Sequence, residues 1–259
     1  MNIIILGYGR MGHWFAKQLS KNHTVAVYEK DTSLLNGTED IIPLHTPDQM
    51  GVFQPGLVIN AVNLDLTQAA FENILPFLPG NTIFSDITSI KSGIETFYTA
   101  KKVRYVSTHP MFGPTFGDLN NLKNENAIII EESDEEGKDF FEEFYSSLGL
   151  NLHFIPFSEH DKLMAQSLSL PFLSSLLFSA NAVPKITSGT TYQKHLNLAK
   201  GLLSEDDSLL SEVLLNKHTL TQIEHFRENL NMLSEIINEN NSNKMVSFLG
   251  ELASRIHKS

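Results

Sequence analysis

The first half of the chain alternates short apolar runs with stretches of helical periodicity. Six strands are predicted by the apolar runs, at residues 3–6, 24–28, 57–62, 82–84, 103–107 and 127–130. One helix face between the first two strands is indicated by apolar residues at helical spacing, namely Met11, Trp14, Phe15 and Leu19. Strands that alternate with helices need crossover connections, and continuous apolar runs are typical of strands covered on both faces. The pattern therefore predicts an α/β fold built on a mostly parallel sheet.

The pattern changes near residue 158, after which no further strand is predicted. A long helix is expected over residues 158–183, and Pro171 inside it should kink or break that helix. Apolar residues at helical spacing then continue as far as Ile237. We therefore predict two domains, residues 1–155 with the sheet and residues 156–259 all helical. Because helices without a second layer expose apolar surface, the helical domain is expected to form a homodimer.

Composition narrows the class of protein. The chain has 259 residues, of which 41% are hydrophobic and 19% charged, as expected for a globular protein with a buried core. The net charge is −11 and no run is rich in Lys and Arg, so a nucleic-acid partner is not expected. A few local cations could still bind a small anionic substrate. The absence of cysteine excludes disulfides, thiolate metal sites and a cysteine nucleophile.

Two apolar segments could be mistaken for membrane or export signals. The first ends at Leu6 and enters a glycine loop, so it is interpreted as a buried first strand and not as a signal peptide. The second, residues 168–183, is interrupted by serines and Asn181 and is shorter than the ~20 apolar residues of a membrane span. We therefore expect a cytoplasmic protein with no membrane partner.

The first strand leads into a glycine loop, residues 7–12, with the pattern G-x-G-x-x-G. The pattern alone is weak, but here a strand precedes it and an amphipathic helix follows it, as in dinucleotide-binding Rossmann domains. Gly7 would allow the tight turn, Gly9 would let a pyrophosphate approach the backbone, and Gly12 would let the helix pack closely. The free N–H groups of the helix N-terminus would then bind the phosphates. Residues 1–155 are thus predicted to be a dinucleotide-binding domain.

Glu29 indicates which dinucleotide is bound. It ends the second strand, 20 residues beyond Gly9, where an acidic side chain accepts hydrogen bonds from the adenosine ribose hydroxyls. A carboxylate there repels a 2′-phosphate, so NAD is expected and NADP is less favoured, and the positive charges of Lys17 and Lys30 weaken this inference slightly. The residues expected to contact the cofactor are Gly7, Gly9, Arg10, Met11, Gly12, Glu29, Ala61 and Asn63.

Two short segments follow predicted strands in the later part of the sheet, DITSIK at residues 86–91 and HPMFG at residues 109–113. Ligands bind at the carboxyl ends of parallel strands in open α/β sheets, so these segments are candidates for a substrate site. Taken singly, Ser89 is as readily a helix cap and His109 a loop residue with a satisfied hydrogen bond. Together, they bring a serine and a histidine to one edge of the sheet.

The order and spacing of these segments resemble the prephenate/arogenate dehydrogenase (TyrA) family. The resemblance covers nearly the whole chain, and its most specific part is HPMFG at its distance from DITSIK. It continues with EHD at residues 159–161, LP at residues 170–171 and the run 192–216 with LLSED inside it. What it implies is an NAD-dependent oxidative decarboxylation of prephenate to 4-hydroxyphenylpyruvate in tyrosine biosynthesis, with residues 156–259 as the dimerisation and substrate domain.

The resemblance also implies roles for individual residues. His109 matches the family's catalytic histidine, which accepts the proton of the substrate C4 hydroxyl, and imidazole suits this because its pKa lies near neutral pH. Ser89 matches the serine that hydrogen-bonds the same hydroxyl and orients the histidine and substrate. Lys91 is either a salt-bridge partner of Asp86 or a ligand contact.

The chain departs from the family pattern in its substrate-binding positions. Phe172 occupies the position after Leu-Pro where many members have a histidine. Gly201 aligns with the usual carboxylate-binding arginine, so a dianionic substrate would need other cations. The candidates are Lys200, which is best placed by alignment, and also His195, Lys194 and Arg227. A lysine cannot reproduce the bidentate fork of an arginine, and Lys200 could equally be a solvent-facing helix residue.

Three other functions stay open at the level of sequence. Arogenate dehydrogenase differs only in the side-chain amino group of its substrate. A β-hydroxyacid dehydrogenase of similar layout would use a lysine base on the first interdomain helix, for which Lys162 is the candidate. A non-catalytic NAD-binding dimer would fit the missing arginine and histidine, but the presence of both Ser89 and His109 argues against it.

Overall fold

The computed structural model describes residues 1–35, 40–113, 117–119, 121–183 and 187–257. The chain divides into two compact units, Met1–Asn216 and Lys217–Ser259. The first unit holds the whole sheet and the helices as far as residue 214, and the second holds two helices. The expected boundary between a sheet domain and a helical domain, at residues 155 and 156, therefore stays a prediction. The last strand of the sheet does end at Ile155.

The first unit is built on one eight-stranded sheet. Its strands, in chain order, are β1 Asn2–Leu6, β2 Thr24–Tyr28, β3 Ile42–Leu44, β4 Leu57–Asn60, β5 Ile83–Asp86, β6 Arg104–Pro110, β7 Asn126–Ile130 and β8 Asn151–Ile155. Their spatial order is β3-β2-β1-β4-β5-β6-β7-β8. All pairs are parallel except β6 with β7. The predicted mostly parallel α/β sheet is confirmed.

The sequence pattern missed two strands, and both lie at edges of the sheet. The strand β3 has three residues, of which only Leu44 is buried. The strand β8 has no buried residue. Neither carries the continuous apolar run that marks a strand covered on both faces. The sequence pattern also ended the sixth strand too early, at residue 107. The strand β6 continues to Pro110, so His109 lies in the strand and not in a loop.

Eleven α-helices are found among the described residues. They are α1 Arg10–Leu19, α2 Asp48–Phe53, α3 Leu64–Ile74, α4 Ile94–Lys101, α5 Glu135–Ser147, α6 Phe157–Met164, α7 Leu170–Asn181, α8 Thr190–Leu202, α9 Asp207–Leu214, α10 Thr219–Asn238 and α11 Ser242–Ile256. A π-helical segment, Ala165–Ser169, joins α6 to α7. It lies directly before Leu170-Pro171, and Pro171 itself lies in the first turn of α7. The helical stretch is therefore irregular just before Pro171, and the kink or break expected at Pro171 itself stays a prediction.

The sheet has a hydrophobic layer on each face, so its central strands are buried on both sides. The register brings the carboxyl ends of the central strands level, with Leu6 opposite Tyr28 and Asn60, Asn60 opposite Asp86, and Asp86 opposite Ser107. Because parallel strands end together at one edge, the loops that follow them meet there. This edge positions the candidate site.

The helices after β8 leave much apolar surface uncovered. Among the described residues, one helical stretch, Phe157–Asn181, is long and apolar enough to cross a membrane by length and composition, and 17% of its most apolar window is buried. In the second unit, exposed apolar side chains follow both helices, including Leu220, Ile237, Val246 and Ile256. In folded proteins, contiguous exposed apolar surface is typical of interaction sites.

Candidate active site

A cavity of about 700 Å³ lies at the carboxyl edge of the sheet. Its walls come from the glycine loop, the ends of β4, β5 and β6, the π-helical segment and α9. Of the residues predicted from sequence, the cavity is lined by Gly9, Arg10, Met11, Ala61, Asn63, Ser89 and His109. The structure thus brings most of the predicted cofactor residues and both predicted catalytic residues to one space.

The glycine loop has the geometry that a pyrophosphate needs. Gly7 has a φ of +85°, and a Cβ there would lie 2.8 Å from a methyl group of Val62. A Cβ on Gly12 would lie 2.1 Å from the carbonyl oxygen of Gly7, so the close helix packing also requires glycine. At Gly9, by contrast, a Cβ would meet no described atom within 4 Å. The N-terminus of α1 is capped by no described side chain and has no acidic residue in its first turn. The open backbone at Gly9 and this helix N-terminus together fit the phosphates of a dinucleotide.

Glu29 is held in place beside this loop. Its Oε2 accepts a hydrogen bond from the Tyr8 amide at 2.7 Å, and its Oε1 accepts one from the Asp31 amide at 3.0 Å. The carboxylate therefore ties the end of β2 to the glycine loop, and each carboxylate oxygen can still accept a further bond. This placement is compatible with the ribose contact that the sequence predicts.

His109 is the penultimate residue of β6 and is only 4% exposed, yet it lines the cavity. Burial, together with the neighbouring His160 and Lys91, lowers the pKa of His109 well below its usual value of 6.5. The side chain is therefore neutral at physiological pH and able to accept a proton. Ser89, half-buried in the loop after β5, lines the same cavity, but no hydrogen bond joins it to His109 in the described structure.

The partner of His109 is a second buried histidine. His109 Nδ1 lies 3.2 Å from His160 Nε2, and His160 Nδ1 lies 2.9 Å from Asp161 Oδ1. Asp161 also accepts hydrogen bonds from the Lys91 amide and the Ser92 hydroxyl. Burial opposes ionisation of Asp161, but these hydrogen bonds lower its pKa to about 2. Sequence reasoning noted EHD only as part of a resemblance. The signal that could have pointed to a role in the site was an adjacent His and Asp near the start of a predicted helix.

Lys91 does not reach the cavity, because it forms a buried ion pair. Its Nζ lies 2.6 Å from Asp86 Oδ1 and donates to the carbonyl oxygen of Thr108, also at 2.6 Å. The Tyr98 hydroxyl donates to the other oxygen of Asp86 at 2.9 Å. Burial works against the carboxylate, yet the Lys91 charge and hydrogen bonds keep the pKa of Asp86 below its usual value. The pair links the loop after β5 to the peptide that precedes His109, so it holds the two halves of the site together.

The predicted carboxylate-binding cations lie elsewhere. Lys200 is exposed on α8 and does not line the cavity. His195 lies in a second, smaller cavity of about 360 Å³ between α7 and α8. Phe172, which the sequence places where many members of the resembled family have a histidine, lines both cavities. Lys194 is likewise exposed on α8 and does not line the main cavity, so within the first unit none of these predicted cations is brought to His109.

The charges that do line the main cavity are mostly negative. Among the described lining residues, Arg10 is the one Lys or Arg side chain, and its guanidinium lies 3.1 Å from Glu205. The carboxylates in the lining are Glu125, Glu205, Asp206 and Glu212. Partial burial raises the pKa of Glu212. A small molecule bound here therefore meets a locally negative field near α9.

The chain has two curated relatives of informative similarity, while no family model matches it. It is 24% identical over 268 residues to a probable arogenate/prephenate dehydrogenase of Methanocaldococcus jannaschii, covering 96% of this chain and 59% of that protein. It is 21% identical over 225 residues to the T-protein of Haemophilus influenzae, covering 83% of this chain and 56% of that protein. The chain spans less than three fifths of the length of these relatives.

Solved structures share the fold over the whole chain. Prephenate dehydrogenase from A. aeolicus, solved with hydroxyphenyl propionate and NAD+, has a TM-score of 0.84 and 18% identity and covers 100% of this chain and 98% of its own. Arogenate dehydrogenase from Synechocystis has a TM-score of 0.78 and 16% identity, with 100% and 99% covered. The resemblance to the prephenate/arogenate dehydrogenase (TyrA) family that the short motifs indicated is thus confirmed along the chain, in sequence and in fold.

Proposed function

We propose that this chain is a dehydrogenase of the prephenate/arogenate type, which uses NAD to oxidise and decarboxylate prephenate. In this reaction the C4 hydroxyl loses its proton to a base, C4 loses hydride, and the ring carboxylate leaves as CO₂, so that the ring becomes aromatic. The product from prephenate is 4-hydroxyphenylpyruvate. The enzyme has to supply a base and to position the substrate against the hydride acceptor.

The observation that carries this proposal is a buried, neutral histidine in the wall of a cavity that also contains the glycine loop. His109 would accept the hydroxyl proton, and Ser89 would hydrogen-bond the same hydroxyl. NAD, when bound, would supply the hydride acceptor. Gly9 and the N-terminus of α1 would bind its phosphates, Glu29 its ribose, and Ala61 and Asn63 would line the path toward His109.

The test is the formation of NADH, followed by absorbance, with prephenate and then with arogenate. The expected result is turnover of at least one substrate by the wild-type protein, with kcat lowered ~10²–10⁴-fold in His109→Asn. If the purified protein binds NAD but turns over neither substrate, the proposal fails. NADP in place of NAD tests the cofactor choice in the same assay.

Arogenate is the second candidate substrate, and the charge of the cavity favours it. Arogenate carries an ammonium group where prephenate carries a keto group. The carboxylates that line the cavity, of which Glu212 also accepts a hydrogen bond from the Asp65 amide, would attract that ammonium group. The ratio of kcat/KM for the two substrates decides between them.

A β-hydroxyacid dehydrogenase is disfavoured by the position of its candidate base. Lys162 is half-exposed on α6, pairs with Glu159 at 2.8 Å and does not line the cavity. A lysine base needs to reach the substrate, and its pKa is lowered by burial or by a neighbouring positive charge, whereas Lys162 is half-exposed beside a carboxylate. Oxidation of simple β-hydroxy acids would nevertheless support that function, and they belong in the substrate panel.

We infer that the protein acts in the cytoplasm as a homodimer. The apolar helix Phe157–Asn181 carries Glu159, Asp161 and Lys162 in its first two turns and a π-helical interruption, which suits an interface helix better than a membrane span. Leu177 and Leu198, on α7 and α8, are about half exposed. A second copy that covered these helices would bury surface of the kind that obligate dimers bury.

A further inference from the structure

The buried contacts behind His109 form a directed chain that ends at Asp161 on α6. His109, His160 and Asp161 are all buried, at 4%, 0% and 5% exposure. His109 Nδ1 meets His160 Nε2, and His160 Nδ1 meets Asp161 Oδ1, so each imidazole is bonded edge to edge with its neighbour. Each neutral imidazole has one donor and one acceptor nitrogen. The first fixed donor or acceptor therefore determines all the others.

Asp161 fixes one end of the chain, because its carboxylate accepts hydrogen bonds from its other partners and can therefore only accept from His160. The Lys91 amide, which can only donate, is 2.8 Å from the same Oδ1 that faces His160. The Ser92 hydroxyl donates to Oδ2 at 2.7 Å. An ionised carboxylate has no hydrogen to offer. His160 must therefore carry its hydrogen on Nδ1 and donate it to Asp161.

The second step passes this choice to His109. Burial disfavours the cationic form of His160, so its Nε2 has no hydrogen and acts as an acceptor. The Nδ1 of His109 must then carry the hydrogen and donate it to His160. The Nε2 of His109 then carries a lone pair and forms no hydrogen bond with a described residue. The His109 side chain lines the cavity, so this lone pair is available there.

We propose that His160 and Asp161 are positioning residues that fix the tautomer of His109, with the hydrogen on Nδ1 and the proton-accepting lone pair on Nε2. Without them His109 could place a hydrogen on Nε2 and present a donor to the cavity. A donor there could not accept the hydroxyl proton, so the base would be absent in that fraction of molecules. The kinetic consequence rests on the proposed function, but the tautomer itself does not.

The direct test is the tautomer of His109 in the full-length protein, read from the 15N chemical shifts of labelled histidine at neutral pH. The signal is assigned by its loss in His109→Asn. We expect a protonated Nδ1 and an unprotonated Nε2. A hydrogen on Nε2 in the wild-type protein would overturn the proposal, whatever the enzyme does or does not oxidise.

His160→Phe tests the chain by removing its middle member while keeping a ring of similar size. We expect the His109 tautomer to become mixed or to switch, and kcat to fall by ~10- to 10³-fold with KM little changed, within the ~10²–10⁴-fold contribution of a general base. His160→Gln keeps a neutral oxygen that can accept from His109, so it should restore part of kcat. His153→Phe, the same substitution at an exposed position of β8, is the matched control.

The outcomes separate this proposal from the proposed function. An inactive wild-type protein with the expected tautomer would remove the proposed function and leave the proposal standing. A wild-type tautomer and wild-type kcat in His160→Phe would show that His160 does not act on His109. If His160→Phe does not fold, the wild-type spectrum and His160→Gln still decide, because both retain an acceptor at this position.

Discussion

Replacing His109 with asparagine should remove the base and little else. The amide nitrogen of asparagine occupies nearly the position of the imidazole Nδ1, so it can donate to His160 as His109 does at 3.2 Å. The part of the ring that is lost faces the cavity, so its removal leaves no closed void to destabilise the core. We therefore expect His109→Asn to melt close to the wild-type temperature and to bind NAD normally.

The expected loss of rate follows from what a positioned base contributes. General base catalysis accounts for ~10²–10⁴-fold in rate, which corresponds to ~3–5 kcal/mol of transition-state stabilisation. The upper part of this range is expected here, because His109 is already neutral and the asparagine leaves no acceptor at the Nε2 position. Ser89→Ala should cost less, since it removes one hydrogen bond and not the proton acceptor.

The dependence of kcat/KM on pH gives the sign of the effect. His109 must be unprotonated to act, and burial places its pKa well below 6.5. Activity should therefore be constant through neutral pH and fall only as the pH drops through this lowered pKa. His109→Asn should lack that acidic limb. An acidic limb at pH 6.5 or above in the wild type, or near-wild-type turnover of His109→Asn with the limb unchanged, would refute the assignment.

Three further predictions test the cofactor loop and the assembly. Glu29→Ala should weaken NAD binding by ~10-fold or more and narrow the gap to NADP, as measured by fluorescence titration; a native preference for NADP would contradict it. Gly12→Ala should lower the melting temperature, because its Cβ would lie 2.1 Å from Gly7 O, whereas Gly9→Ala should keep the melting temperature and weaken only NAD binding. Wild-type protein should sediment as a dimer at micromolar concentration and Leu198→Glu as a monomer; a monomeric wild type would exclude the dimer.

The sheet and the cofactor loop could be predicted because their signals are local. The continuous apolar runs of β1, β2, β4 and β7 arise from burial on both faces, and the glycines at positions 7 and 12 are required by contacts a few ångströms away. His109 and Ser89 were found for a related reason. Parallel strands end at one edge, so residues that follow successive strands meet even when they are distant in sequence.

The substrate-binding positions could not be predicted in the same way, because they depend on how helices pack. Alignment suggested Lys200, but the face of α8 that carries it points to solvent. Arg10, placed at the cavity by the start of α1, is paired with Glu205, which lies 195 residues away in sequence. No local pattern encodes such a pairing, since it depends on how segments that are distant in sequence pack together.

The His160–Asp161 pair was only partly predictable from the sequence. His160 and Asp161 are adjacent in sequence at the start of α6, and their full burial follows from the packing of α6 against the sheet. A polar pair with no exposed surface must satisfy its hydrogen bonds internally, and here it does so with His109 and with the Lys91–Ser92 segment. The motifs DITSIK and HPMFG, which sequence analysis placed at one edge of the sheet, are therefore also connected through EHD. This is a physical reason for the three segments to occur together in one chain.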